Sequence, residues 1–106
     1  MDVKPLSDGF GAELVGLDLT AALGDGEIDA IRRVYVEAGV MVIRDQDLNP
    51  EQHIAFSRRF AELAIHVADQ FLLPGRPEIL VLSNKRRADG TPVGFEDAGR
   101  YWHSDV

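Results

Sequence analysis

Trp102-His103-Ser104-Asp105 sets a histidine and an aspartate two residues apart, near the end of a 106-residue chain. Side chains alternate between the two faces of a β-strand, so in a strand His103 and Asp105 point to one side and Ser104 to the other. An imidazole nitrogen and a carboxylate oxygen on one face are two members of a 2-His-1-carboxylate set. That set binds non-haem Fe(II) and leaves coordination positions open. The spacing alone is also met by a partly exposed histidine and aspartate with no function, so the weight must come from the rest of the chain.

Length and composition narrow the field. The chain is expected to be one domain at most, residues 1–106, with a modest core. Hydrophobic residues at 45% and charged residues at 27% are ordinary for a soluble globular protein. With no cysteine, disulfides, zinc-thiolate sites and cysteine nucleophiles are excluded. A net charge of -7 argues against nucleic acid or an anionic membrane as partner and is neutral about a small-molecule substrate. The opening Met1-Asp2-Val3-Lys4-Pro5 lacks the basic stretch and apolar core of a secretory signal, and no apolar run is long enough to span a membrane. A cytoplasmic location is the default expectation. The sequence stops one residue after Asp105, inside the strand that would carry the site, so a truncated chain is expected.

Working back from that end, Glu78-Ile79-Leu80-Val81-Leu82-Ser83 is the clearest strand, and its four consecutive apolar residues predict burial on both faces. Between it and the histidine, Lys85-Arg86-Arg87-Ala88-Asp89-Gly90-Thr91-Pro92 reads as a polar turn carried by Asp-Gly. Its basic residues are read as a solvated tip, with anion steering as the alternative. Residues 71–77, with Pro74, Gly75 and Pro77, read as a loop. A helix is predicted over 49–63: Asn49 as N-cap, Pro50 at the first helical position, Gln52 completing a capping box, and an apolar face of Ile54, Phe56, Phe60 and Leu63. Arg58 and Arg59 are assigned to solvent, and His53 receives no role. Residues 40–43 read as a buried strand. A first helix is predicted over 25–38, capped by Asp25, with the stripe Ile28, Ile31, Val34, Tyr35 and Ala38 and with Gly39 just past its end. Residues 9–19 form a glycine-interrupted strand or hairpin in which Ala12 and Leu14 share one face.

Several of these stretches, in this order, resemble the amino-terminal part of the TauD/TfdA family of Fe(II)- and 2-oxoglutarate-dependent dioxygenases. Gly11-Ala12-Glu13-Leu14-Val15-Gly16-Leu17-Asp18-Leu19 resembles the family's opening strand, and Val40-Met41-Val42-Ile43-Arg44-Asp45-Gln46 its hydrophobic strand followed by Arg-Asp-Gln. Phe60-Ala61-Glu62-Leu63 is similar to its Phe-Gly-Glu-Leu, and Ile79-Leu80-Val81-Leu82-Ser83-Asn84 stands at the expected distance before Trp-His-Ser-Asp.

The resemblance implies an α+β, mainly β fold: the N-terminal part of a double-stranded β-helix, or jelly roll, with flanking helices. It implies that His103 and Asp105 are iron ligands. The third histidine, and the arginine that holds 2-oxoglutarate, would lie beyond Val106, as would the other co-substrate contacts. It implies hydroxylation of a small, anionic organic substrate with O₂ as co-substrate and release of succinate and CO₂. His66 falls where sulfonate-oxidising members place a substrate-contacting histidine. Asp69 and Gly99 stand where those members have a tyrosine and an asparagine, which weighs against taurine itself. The 106-residue chain is expected to be inactive alone, and homo-oligomerisation of a full-length form stays open. Two other classes remain: a truncated non-catalytic fragment, and a generic α+β interaction domain in which the His-x-Asp spacing is incidental.

Overall fold

Asp8 and Gly9 fold the N-terminus back on itself. Strands β1 (Asp2–Ser7) and β2 (Phe10–Val15) pair antiparallel, from Asp2↔Val15 to Ser7↔Phe10. Gly9 takes φ 73°, a value that a tight two-residue connection favours and that a side chain would strain. The computed structural model describes residues 1–67 and 69–103 and forms two units, Met1–Glu62 and Leu63–Val106. Along β2, Ala12 and Leu14 are buried while Glu13 and Val15 are half-buried, the alternation expected of a strand with one covered face.

Helix α1 spans Asp25–Ala38, as its periodicity predicts, but its cap differs. Asp25 is the first helical residue and Gly24 the N-cap; Glu27 reaches back so that the Gly24 N–H donates to its Oε1 at 3.2 Å. The acid serves the helix start from inside the first turn, where the dipole also favours it. At the other end Gly39 adopts φ 78° and its N–H donates to the Tyr35 carbonyl at 2.9 Å, closing the helix. Ile28 and Ile31 are buried and Val34 packs against them, but Tyr35 is 54% exposed, contrary to the predicted stripe: full burial ends at Ile31.

β3 (Met41–Val42) joins β2 in parallel, giving the order β1-β2-β3. It is two residues long and half-buried, and Val40 is exposed, so the expected buried strand over 40–43 is corrected to a short edge. An edge strand has one neighbour, which leaves part of its surface open. Gln46 extends the join past the strand: its Oε1 accepts from the Leu19 N–H and its Nε2 donates to the Leu17 and Arg44 carbonyls, all within 3.0 Å. One carboxamide thus replaces a rung of the ladder.

Helix α2 (Pro50–Arg58) starts as predicted. The Gln52 N–H donates to Asn49 Oδ1 at 2.8 Å, and the Asn49 N–H donates to Gln52 Oε1 at 3.0 Å. It ends five residues earlier than expected. The Arg59 and Phe60 amides bond three residues back, to Phe56 and Ser57, which tightens and terminates the last turn. Arg59 is not a solvated cation. It donates to the Leu23 carbonyl and pairs with Asp25, both at 2.7 Å, pinning the end of α2 to the start of α1. Leu14, Ile28 and Ile31 form the centre of this unit, with Leu23, Met41, Phe56 and Phe60 packed against it.

In the second unit a 3-10 turn (Asp69–Phe71) leads into β4 (Leu72–Leu73), which pairs antiparallel with β5 (Arg76–Leu80). The expected loop over 71–77 is therefore a hairpin: Pro74 fixes the first turn position and Gly75, at φ 77°, the second. The strand predicted over 78–83 is displaced to 76–80 and is half-buried, because it has one partner strand, and Leu82 is 61% exposed. Beyond Leu80, strand-like pairing among the described residues survives only as single bridges, Leu82↔Phe95 and Arg86↔Pro92. The described residues are thus mixed α and β, not mainly β, with the two helices holding about as much of the chain as the five strands.

Candidate functional site

The residues leading to the motif are ordered by a loop that folds on itself. The Phe95 N–H donates to the Val81 carbonyl at 2.8 Å, and the Phe71 and Phe95 rings meet at 5.5 Å. The Asp89-Gly90 turn forms as the sequence predicts, with the Thr91 hydroxyl and amide donating to Asp89 Oδ1 at 2.7 and 3.0 Å. These two bonds hold the Asp89 carboxyl below the usual carboxylate range, because they favour its ionised form. The basic tip is not simply solvated. Arg86 pairs with Glu96 at 3.0 Å and donates to the Gly90 carbonyl, and Arg87 donates to the Pro92 carbonyl at 2.6 Å. Neither Glu96 nor Gly94, which permits the close crossing beneath this tip, stood out in the sequence, because each acquires its role only from a residue some ten positions away.

Tyr101, Trp102 and His103 are exposed and lie outside any strand, so the predicted strand is absent at the histidine. His103 is nonetheless oriented. Its Nδ1 lies 2.6 Å from the Tyr101 carbonyl oxygen. A carbonyl only accepts, so Nδ1 carries the proton and Nε2 carries the lone pair in the neutral ring. That tautomer suits a metal-binding histidine, whose second ring nitrogen commonly donates to a backbone carbonyl. The donor chemistry of His103 therefore fits an iron ligand. Gly99, Arg100, Tyr101, Trp102 and His103 line an open hollow of about 490 Å³. Asp105 lies outside the described residues, and with it the expectation that the two side chains share a face. Among the described residues no three His, Cys, Asp or Glu side chains are grouped so as to hold a metal ion. His66 is exposed in an irregular segment ahead of the 3-10 turn. Among the described residues no helix is long and apolar enough to cross a membrane.

A family model described as "Taurine catabolism dioxygenase TauD, TfdA family" matches residues 2–106. The alpha-ketoglutarate-dependent 2,4-dichlorophenoxyacetate dioxygenase of Cupriavidus pinatubonensis is 34% identical over 111 residues, covering 96% of this chain and 39% of that protein. The (S)-phenoxypropionate/alpha-ketoglutarate-dioxygenase of Sphingobium herbicidovorans is 37% identical over 67 residues, covering 63% of this chain and 23% of its own. Among solved structures, a taurine dioxygenase from Burkholderia xenovorans superposes with a TM-score of 0.68 at 41% identity, over 72% of this chain and 27% of that one. The chain thus spans about two-fifths, or less, of the length of the curated relatives it matches.

Proposed function

The chain belongs to the TauD/TfdA dioxygenase family, and on that premise we propose that the protein is an Fe(II)- and 2-oxoglutarate-dependent dioxygenase acting on a small anionic organic molecule. The observation that carries the reading is the family match, which continues to the end of the chain and so includes Trp102-His103-Ser104-Asp105. Residues 1–106 then form the N-terminal portion of a jelly-roll dioxygenase domain, and the remaining ligand and the co-substrate arginine come from sequence beyond Val106.

In this reading His103 and Asp105 are two of the three protein ligands to the metal. Iron, 2-oxoglutarate and O₂ together supply oxidative decarboxylation to succinate and CO₂, coupled to hydroxylation of the substrate. The chain's own contribution is binding and orientation. The Tyr101 carbonyl fixes the His103 tautomer, Asp105 supplies the anionic oxygen donor, and His66 is a substrate contact. An anionic substrate agrees with the substrates for which the two curated relatives are named, both carboxylic acids with an aryl ether.

The test is succinate formation from 2-oxoglutarate with Fe(II) and ascorbate, in the presence of phenoxyacetates, phenoxypropionates and sulfonates. It is run on this chain and on a form extended to the length of the relatives. The extended form is expected to turn over, and His103→Ala or Asp105→Ala to reduce turnover by about two orders of magnitude or more. Robust turnover by the 106-residue chain, abolished by His103→Ala, would place the third ligand within these residues and refute its assignment to downstream sequence. An extended form with bound iron and no turnover on any of these acids would overturn the substrate class.

A further inference from the structure

Three Asp-Gly pairs stand in the chain: Asp8-Gly9, Asp25-Gly26 and Asp89-Gly90. In such a pair the glycine amide nitrogen can attack the aspartate Cγ and close a five-membered imide, because glycine has no side chain to hinder the approach. All six residues are exposed, so access to water does not separate the three pairs. They differ in what holds the two reacting groups. Asp25 is the first residue of α1, and its carboxylate pairs with Arg59 at 2.7 Å. Turning its backbone for attack would break the first helical turn, which the Ile28 N–H closes on the Gly24 carbonyl at 3.1 Å. Asp89 Oδ1 accepts from the Thr91 hydroxyl and amide, and the Gly90 N–H donates to the Arg87 carbonyl at 2.9 Å. The bonds from Thr91 favour the ionised carboxylate, whereas ring closure needs the neutral acid, whose OH leaves as water. Asp8-Gly9 is the two-residue connection between β1 and β2 and has neither restraint. Among the described residues the Asp8 carboxylate has no hydrogen-bond or ion-pair partner, and the Gly9 N–H has no acceptor.

We propose that Asp8-Gly9 is a site of spontaneous isoaspartate formation, and that the folded chain confines the reaction to this pair. The Gly9 nitrogen bonds to Asp8 Cγ, its proton and the carboxyl OH leave as water, and a succinimide results. Water then adds back at either imide carbonyl. Cleavage of the new Cγ–N bond restores aspartate. Cleavage of the original peptide bond leaves the main chain running through Cβ and Cγ, with a free α-carboxylate. No oxidant, reductant or cofactor enters. The product places one extra methylene in the main chain of a two-residue connection, which no longer matches the Ser7↔Phe10 pairing or the 2.9 Å bond from the Ser7 hydroxyl to the Phe10 carbonyl. β1 contributes no buried side chain, so its Ser7 end loosens while the cluster of Leu14, Ile28 and Ile31 keeps its packing. The new α-carboxylate is an acceptor for a carboxyl methyltransferase that uses S-adenosylmethionine, which is the class of partner the modified turn would take.

The test is to age the chain as it stands at about pH 5, where ordinary carboxyls keep a fraction protonated. Samples are digested at intervals with a protease that cleaves before aspartate but not before succinimide or isoaspartate. Methyl transfer from S-adenosylmethionine by an isoaspartyl methyltransferase counts the product in parallel. Cleavage before Asp8 is expected to be lost at least about tenfold faster than cleavage before Asp25 or Asp89, the factor equivalent to one hydrogen bond to a charged group. In urea, where the fold no longer distinguishes them, the three should react at similar rates. Thr91→Val should bring Asp89 toward the Asp8 rate. Asp8→Glu, which would need a six-membered ring, should remove most of the methyl acceptance. The proposal is overturned if Asp25 or Asp89 converts as fast as Asp8 in the folded chain, if the same spread of rates persists in urea, or if methyl acceptance survives Asp8→Glu. Should a variant not fold, the wild-type digests with and without urea decide alone. None of these readouts involves iron or 2-oxoglutarate, so the proposal fails or holds separately from the dioxygenase reading.

Discussion

Replacing Ile31 by alanine tests whether the first unit is held where the structure places its centre. Ile31 is fully buried between Leu14 and Ile28, and this three-residue cluster is the centre of the unit. The substitution deletes three carbons, each contributing about 0.8 kcal/mol on burial. Because neighbours collapse incompletely into the space, a cavity cost is added, and the total is about 3 to 4 kcal/mol. A chain of this size has about 5–15 kcal/mol in all. With a urea dependence of about 1.5 kcal/mol per molar, the unfolding midpoint should fall by about 2 M. Far-UV circular dichroism is the right probe, since both α-helices lie in Met1–Glu62 and the helical signal reports that unit. Val36→Ala, on the same helix but 74% exposed, is the control and should shift stability by no more than about 0.5 kcal/mol. Equal effects of the two substitutions, or a loss below about 1 kcal/mol for Ile31→Ala, would mean that α1 does not pack on β2 through this face.

Asn49→Ala removes the side-chain oxygen that receives the Gln52 amide, and should cost about 1 kcal/mol by the same urea experiment, with Asn49→Asp restoring most of it. The Thr20 hydroxyl and amide both donate to the Asp18 carboxylate and hold its pKa below the ordinary 3.8, as Thr91 does for Asp89. The contribution of each turn is therefore full above 3.8 and is lost as pH falls through the lower folded-state value. On acidification the Thr20 and Thr91 amide resonances should move with a midpoint below 3.8; a midpoint at or above 3.8 would refute the bonds.

What the sequence makes legible here is what a few neighbouring residues decide between themselves. Asn49, Pro50 and Gln52 fix the start of α2 within one turn, and the helix begins where they say. Gly39 ends α1 because the positive φ adopted there, 78°, is open to glycine at little cost. The α1 cap is Gly24, one residue before the expected Asp25, because Glu27 serves Gly24 from within the helix and a glycine N-cap has no side chain to mark it. Arg59 escapes a local reading for a different reason. Its partners, Leu23 and Asp25, are more than thirty residues away, and no local pattern distinguishes it from the exposed Arg58 beside it.

The strands show why local legibility stops short of the site. An apolar run states how much cover a strand would accept, and the number of neighbours it obtains is settled elsewhere in the chain. Residues 40–43 and 78–83 both read as buried, yet among the described residues β3 pairs only with β2 and β5 only with β4, and Val40 and Leu82 are exposed. The same limit applies with more force to a metal centre. Two donors spaced His-x-Asp are a local pattern, and the bond from His103 Nδ1 to the Tyr101 carbonyl is local as well, so tautomer and motif can both be read from five residues. A third donor cannot, because a three-ligand site joins positions that sequence separation does not constrain. The order of the weak matches along the chain carries the assignment for that reason: a family's sequence preserves the long-range partners that a motif taken alone leaves unspecified.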